Sequence, residues 1–279
     1  MSSHQPAAVG IIAGAGRFPF MVADGARKSG CHVTIIGLRG LADPMLRRHA
    51  DAFYWSGLAK LGHWIRIFHR SRVAHCIMAG YVRKEIMYGR FRLLKLLPDW
   101  LSLKLWFFEL RDKRNDSVLG AVAEVLQSRG ITLESAVKYS QEALAPVGHL
   151  AGPPPPADLQ RDIDFGWRIA KELGRLDIGQ SVAVKETEVI AVEAIEGTDR
   201  MIERAGSLCP RGGWCLIKVG KPNQDMRFDV PTIGPDTIER LHEHGAVALV
   251  IEAGKTVIID AEQTMAMARK KSVHVFANQ

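Results

Sequence analysis

The sequence predicts an α/β first half with a parallel sheet, followed by an α+β second half. Three observations carry this. Short β-branched or apolar runs alternate with amphipathic stretches as far as Leu133. The alternation stops over 136–141. Beyond it, short strands are joined by tight polar turns or separated by single helices. Strand and helix in alternation build a parallel sheet with covered faces, whereas paired short strands with separate helices read as α+β. The expected domains are 7–136 and 140–277, an ordinary division for a chain of 279 residues.

The first half reads in order as a strand over 9–13, a helix over 18–29 and a second strand over 33–36. Ala42-Asp43-Pro44 is a turn signal, and 52–55 is a short third strand. Leu61, Trp64, Ile65 and Phe68 then recur at helical spacing. A buried strand over 75–79 ends at Gly80. The helix over 116–129 carries Val118, Leu119, Val122, Val125 and Leu126 on one side, and 131–133 closes the half. In the second half a polyproline run precedes a helix over 157–173. Strands 181–184 and 189–194 flank the polar turn Lys185-Glu186-Thr187-Glu188. A helix over 198–205, a strand over 214–219 and a helix over 235–243 follow. Last, 247–252 is expected to pair with 256–259 across Ala253-Gly254-Lys255.

Composition narrows the function. Apolar residues make up 47% and charged residues 24%, as in a water-soluble globular protein. No apolar run approaches the roughly 20 residues of a bilayer span, and the first residues lack a signal-peptide pattern, so a cytoplasmic location is expected. Cys31, Cys76, Cys209 and Cys215 form no C-x-x-C pair and read as reduced thiols rather than zinc ligands. The net charge of +7 is uneven, with nine Lys or Arg against four acids over 83–114. Such a surplus suits nucleic acid, an anionic membrane face or an acidic substrate. No RNA- or DNA-binding motif accompanies it, and no nucleic-acid partner is expected.

Four stretches could carry chemistry. Gly14-Ala15-Gly16 follows the first strand, as in a dinucleotide fingerprint, but Pro19 occupies the third glycine position. No acidic residue ends the second strand to hold a ribose, and Arg39 alone is weak support for NADP. The loop is either a ligand-free tight turn or a set of amides facing another phosphate. Gly80 and Tyr81 follow the fourth strand. They lie at the same carboxyl edge, where open parallel sheets bind ligands.

The richest stretch is 216–237. It delivers Lys218 and then packs Lys221, Asn223, Gln224, Asp225, Arg227 and Asp229 into one loop stiffened by Pro222, Pro231 and Pro235. Its carboxylates and amides are hard ligands suited to magnesium or manganese, and its lysines suit phosphate oxygens. A solvated polar turn would give the same pattern. At 193–199 a strand turns into a helix, with Thr198 as a candidate cap and Asp199 in the first turn. The same residues could hold a phosphate, with Glu196 or Asp199 near a metal.

Finally, 81–114 interleaves Leu93, Leu96, Leu97, Trp100, Leu101, Leu105, Trp106, Phe107 and Phe108 with Arg90, Arg92, Lys95 and Lys104. This is either core helix or an amphipathic surface for acyl chains. The ten histidines form no helical ligand pair, and there is no G-x-S-x-G elbow or P-loop.

The stretches "GIIAGAGRFPF", "MAGYVRK", "LDIGQSVAVKETEVIAVEAIEGTD" and "VGKPNQDMRFDVPTIGPDT", in that order, give the chain a resemblance to one family. It resembles the metal-dependent UDP-2,3-diacylglucosamine diphosphatases of lipid A synthesis, the type unrelated to calcineurin-like phosphoesterases. The resemblance covers nearly the whole chain. It implies a Rossmann-like first domain, a second α+β domain and a ligand cleft between them. The implied reaction is hydrolysis of UDP-2,3-diacylglucosamine to UMP and 2,3-diacylglucosamine 1-phosphate, with a divalent cation, Mg2+ or Mn2+. The implied location is peripheral, on the cytoplasmic face of the inner membrane, with a lipid-linked UDP-sugar as substrate; a homodimer is compatible with it.

Carried over by motif, Asp225 is the residue expected to be essential, with Lys218 and Lys221 as its catalytic companions. Gly14, Ala15, Gly16, Gly80, Tyr81, Thr198, Asp199 and Gln224 are expected at the substrate, and Asp225, Asp229 and Glu196 at the metal. The rival readings are a non-catalytic binder of nucleotide sugars or lipids, and a glycosyltransferase that would release UDP.

Overall fold

The computed structural model describes residues 7–82, 98–109, 115–152, 154–222 and 224–279. They divide into two units. One comprises Met1–Gln141 with the short segment Asp225–Phe228, and the other Glu142–Gln224 with Asp229–Gln279.

The first unit runs β1 (Ala8–Ala13), α1 (Phe18–Lys28), β2 (His32–Leu38), a 3-10 turn (Pro44–His49), β3 (Ala52–Ser56), α2 (Leu61–Arg70) and β4 (His75–Ala79). After it come α3 (Trp100–Lys104), a π-helical turn (Leu105–Glu109), α4 (Asn115–Ser128) and β5 (Thr132–Leu133). The sheet order is β3-β2-β1-β4-β5, every pair parallel. Ile11 stands opposite both Ile35 and Ile77, and all three are fully buried. The alternate residues Ile12 and Ile36 pack with Leu61, Trp64 and Phe68 of α2 and Ala123 and Leu126 of α4. Since successive side chains in a strand point to opposite faces, burial of both sets means the sheet is covered on both sides.

The second unit runs β6 (Gly148–Ala151), α5 (Ala157–Arg175), β7 (Ser181–Lys185), β8 (Glu188–Val192), α6 (Thr198–Leu208), β9 (Trp214–Lys218) and β10 (Thr232–Ile233). It continues through α7 (Pro235–Glu243), β11 (Ala246–Glu252), β12 (Val257–Ile258), α8 (Ala261–Lys270) and β13 (His274–Asn278). Its six strands lie in the order β6-β13-β11-β9-β7-β8. Leu159, Ile163 and Ala170 of α5 bury one face against Val182, Ile217 and Val250. Helices α6, α7 and α8 bury the other through Met201, Ile202, Leu241 and Ala268, against Leu216, Leu249 and Val275.

Two expectations are corrected. First, 247–252 does not form a hairpin with 256–259. β11 lies between β9 and β13 and is parallel to both, while β12 pairs with β10. The turn between them is held elsewhere: the Ala253 amide donates to the Asn278 carbonyl and the Gly254 amide to that of Ala145. β11 is apolar along nearly its whole length, as a central strand must be when both faces are covered. Second, the sheet of the expected α+β domain is mixed, with a parallel centre. β9, β11 and β13 form a parallel centre with helices in the connections, and β6 and β7 are antiparallel neighbours. The unit therefore has an α/β core where an α+β arrangement was expected.

The β7–β8 turn shows a carboxylate offsetting backbone strain. Glu186 and Thr187 both have positive φ, 53° and 57°, without the glycine or asparagine that tight hairpins favour. Asp162, buried on α5, accepts both of their amides, at 3.0 and 2.6 Å. Asp162→Ala should leave two amides unsatisfied and lower unfolding free energy by about 2–4 kcal/mol. Chemical denaturation should register that loss, with Asp162→Asn in between.

Candidate active site

The glycines at the carboxyl edge of the first sheet are there for backbone contact. The Gly14 amide donates to the Ala79 carbonyl at 2.8 Å; Ala15 and Tyr81 exchange both of their backbone hydrogen bonds, at 2.9 and 3.0 Å. A Cβ on Gly14 would stand 2.8 Å from the Tyr81 oxygen, and one on Gly80 2.5 Å from the Ala15 oxygen. Gly80 also has φ +87°. The loops after β1 and β4 thus clasp each other, and the amides of Gly14, Ala15 and Tyr81 are consumed in doing so. Gly16, with φ +92°, turns the chain into α1. Pro19 sits in the first turn of that helix, against the space a Gly80 side chain would need. The same edge carries Ser56, whose hydroxyl lies 2.8 Å from Nδ1 of His63.

The segment Asp225–Phe228 belongs to this unit although the chain on either side of it belongs to the other. The Met226 carbonyl accepts from the Ala136 amide at 2.7 Å, and Phe228 packs on the core of Leu61, Trp64 and Leu126. Between them Arg227 grips Asp225. Its Nη2 lies 2.6 Å from Oδ2, its Nε 3.0 Å from Oδ1, and its backbone amide also donates to Oδ1. These hydrogen bonds, with the guanidinium charge, hold the Asp225 carboxyl below its ordinary pKa against the opposing effect of partial burial.

In the second unit β9 ends on Lys218, which is 7% exposed. Its Nζ donates to the Thr198 hydroxyl at 3.1 Å, and that hydroxyl donates to Oε1 of Glu193 at 3.1 Å. Thr198, a candidate cap in the sequence, therefore does not cap the helix. Gly197, with φ +82°, holds the capping position, and the buried carboxylate draws the threonine side chain inward. Glu196 turns to Arg204 and to the Ala194 amide, and these hydrogen bonds lower its pKa despite desolvation. Asp199, mostly exposed, stands 3.5 Å from Arg240.

The loop after β9 is tied at its root and its neck. Glu252 ends β11 and is 5% exposed. It accepts from the Gly220 amide at 2.9 Å, from Lys171 at 2.8 Å and from Lys255 at 2.9 Å. These contacts outweigh desolvation and hold its carboxyl ionised. Gln224 closes the neck: its Oε1 accepts the Lys221 amide at 2.7 Å and its Nε2 donates to the Asp229 carbonyl at 2.6 Å. Gln224, expected at the substrate, also ties the two sides of the loop together. The Lys221 ammonium pairs with Asp177.

Among the described residues, no three His, Cys, Asp or Glu side chains come together as a metal set. Asp225 and Glu196, two of the three expected ligands, are each engaged by an arginine. Of the basic aromatic run, 83–97 and 110–114, with Arg90, Arg92, Lys95, Leu93, Leu96 and Leu97, lie outside the described residues, as does Asn223. Trp100 and Phe107 are exposed, whereas Leu105 is buried in the first core. Glu193 and Glu252 went unassigned in the sequence. The available signal was a single acid at the end of an apolar strand, as in "VALVIEAG".

The pairing has a measurable sign. In the wild type the Asp225 carboxyl should titrate below the ordinary value of about 3.9, and Arg227→Met should move it upward. Because the folded value is depressed, the stability from this pair is present above the unfolded value and is lost as pH falls through the folded one. Carboxyl-carbon NMR titration of the two proteins checks the direction.

Known proteins fit this arrangement in unequal ways. The family described as the LpxI N-terminal domain matches residues 8–143, and that described as the LpxI C-terminal domain matches 146–276. The chain is 34% identical over 269 residues to the UDP-2,3-diacylglucosamine pyrophosphatase LpxI of Caulobacter vibrioides, covering 93% of each. Among solved structures, an ADP complex of N5-carboxyaminoimidazole ribonucleotide synthetase is 12% identical with TM-score 0.28, over 76% of this chain and 47% of that one. The biotin carboxylase domain of Hydrogenobacter thermophilus 2-oxoglutarate carboxylase is 15% identical with TM-score 0.24, over 75% and 42%. Neither likeness bears on fold or function. The two LpxI domains, matched in order across almost the whole sequence, place the chain: it belongs to the LpxI family.

Proposed function

We propose that this protein hydrolyses UDP-2,3-diacylglucosamine to UMP and 2,3-diacylglucosamine 1-phosphate in lipid A biosynthesis. The observation that carries the reading is its likeness, over 93% of both chains, to a relative named for pyrophosphatase action on that lipid. In the reaction water adds to one phosphorus of the diphosphate, the bridging P–O bond breaks, and each product keeps one phosphate.

Clustered negative charge repels the attacking oxygen, so the site must supply cations where charge develops. Lys218 and Lys221 are suited to this, at the end of β9 and the start of its loop. Asp225 is held ionised by Arg227, and a carboxylate with a depressed pKa is a weak base. Its role in this reading is to hold charge and orient water rather than to store a proton. The parallel first sheet, with its clasped loops, is taken as a Rossmann-like support for the nucleotide part near Gly16, Gly80 and Tyr81. The backbone amides at Thr198 and Asp199, in the first turn of α6, are assigned to the phosphates.

A divalent cation, Mg2+ or Mn2+, is part of the proposal. The described side chains make no protein cage, but such ions are commonly held by one or two carboxylates together with substrate phosphates. Asp225, with Asp229 in reserve, would supply the carboxylate. The ion would neutralise charge on the diphosphate oxygens. We also place the protein on the cytoplasmic face of the inner membrane. No described helix is long and apolar enough to cross a membrane, and exposed Trp100 and Phe107 would meet the lipid surface.

Purified protein given the UDP-lipid should release UMP with Mg2+ or Mn2+ and stop with chelator. Asp225→Asn should fold normally and lose about a hundredfold or more in turnover. Binding without release under any divalent ion would favour a non-catalytic lipid or nucleotide-sugar binder. Release of UDP only with an acceptor would mark a transferase.

A further inference from the structure

The chain Lys218–Thr198–Glu193 contains more polar capacity than its internal bonds use. An ammonium can only donate and an ionised carboxylate can only accept, so the single threonine proton must point to Glu193 and its lone pair to Lys218. That leaves two N–H of Lys218 without an acceptor among the described residues, on a side chain only 7% exposed. It also leaves Oε2 of Glu193 buried and unpartnered. An ammonium so buried with one neutral partner is costly, and Glu193 supplies the opposite charge through the intervening hydroxyl.

The backbone that carries the carboxylate is firmly set. The Glu193 amide donates to the Ser181 carbonyl at 2.9 Å, and Ser181 is the register partner of Lys218 across β7 and β9. A Cβ on Gly179 would lie 2.0 Å from the Glu193 carbonyl oxygen, so that glycine lets two backbones meet beneath the carboxylate. The arrangement spends buried charge on one lysine at the end of a strand, at the root of the loop that carries Lys221.

We propose that Glu193 is a positioning residue of the hydrolytic site. Through the Thr198 hydroxyl it holds Lys218 in place, so that the two remaining N–H meet phosphate oxygens of the diphosphate. This rests on the diphosphatase reading for its substrate. The geometry also makes a claim of its own: Lys218 is an anion ligand whose strength depends on Glu193.

Two measurements separate the inference from that reading. The first is kcat and KM for the UDP-lipid in the wild type, Glu193→Gln, Thr198→Val and Thr198→Ser, with thermal melts of each. Thr198→Ser restores the hydroxyl and should stay near wild type. Glu193→Gln and Thr198→Val should lose about 10- to 100-fold in kcat with KM raised as well, and should do so in folded protein. The second is calorimetric binding of inorganic pyrophosphate to the same four proteins, with Lys218→Met as reference. Here Glu193→Gln and Thr198→Val should approach the weak binding of Lys218→Met, and Thr198→Ser should not.

If the wild type fails to hydrolyse the lipid but the pyrophosphate series holds, the diphosphatase reading falls and the positioning role stands. Normal kcat in Glu193→Gln, or tighter pyrophosphate binding by it, would make the carboxylate a mere neighbour and overturn the proposal. A loss shared equally by Thr198→Ser would overturn it too, since that variant keeps the relay.

Discussion

The second unit is organised around one buried carboxylate. Glu252 closes the central strand β11 in a place nearly free of solvent, and an ion so placed needs donors on every side. Two lysines and the Gly220 amide provide them. Lys171 ties α5 to the strand end and Lys255 ties the following turn. The Gly220 amide fixes the first step of the loop out of β9. Parallel neighbours make this possible, because β9 and β11 deliver their carboxyl ends to the same edge of the sheet. A hairpin between β11 and β12 would have sent Glu252 into a reverse turn and left the loop root without its acceptor.

From that root the loop is a series of short-range commitments. Gln224 bonds both sides of the neck, so the departing and returning chains are held by one side chain. Beyond the neck, Met226 and Phe228 are absorbed by the first unit, through a backbone hydrogen bond and apolar packing respectively. Asp225 and Arg227 thereby alternate with two residues anchored in the first unit.

Most of the fold was legible in the sequence, because period and burial agree there. The apolar runs of β1, β2 and β4 carry both faces of a covered sheet, and α2 shows its stripe in Leu61, Trp64, Ile65 and Phe68. What misled was proximity along the chain: β11 and β12 are separated by a turn-like Ala-Gly-Lys, whereas the true partners of β11 lie one helix away on either side. The glycines of the first loop were equally ambiguous. A glycine reports that something approaches the backbone closely but not what, and here it is another stretch of backbone. Gln224 carried a polar identity that fits a ligand as well as a latch. The relay at Lys218 was half visible: its members were noticed as residues, but only the meeting of β7, β9 and the start of α6 makes them neighbours.

The four residues 225–228 also bear on how the two halves could have been inherited. A first half cut at residue 141 would lack Phe228, which fills part of its own core, and the acceptor for its Ala136 amide. A second half cut there would carry an apolar residue with nowhere to bury it. Neither half is a free-standing cassette. Gene fusion, fission or domain exchange at that boundary would break a core, so the pair is expected to travel through genomes as one reading frame.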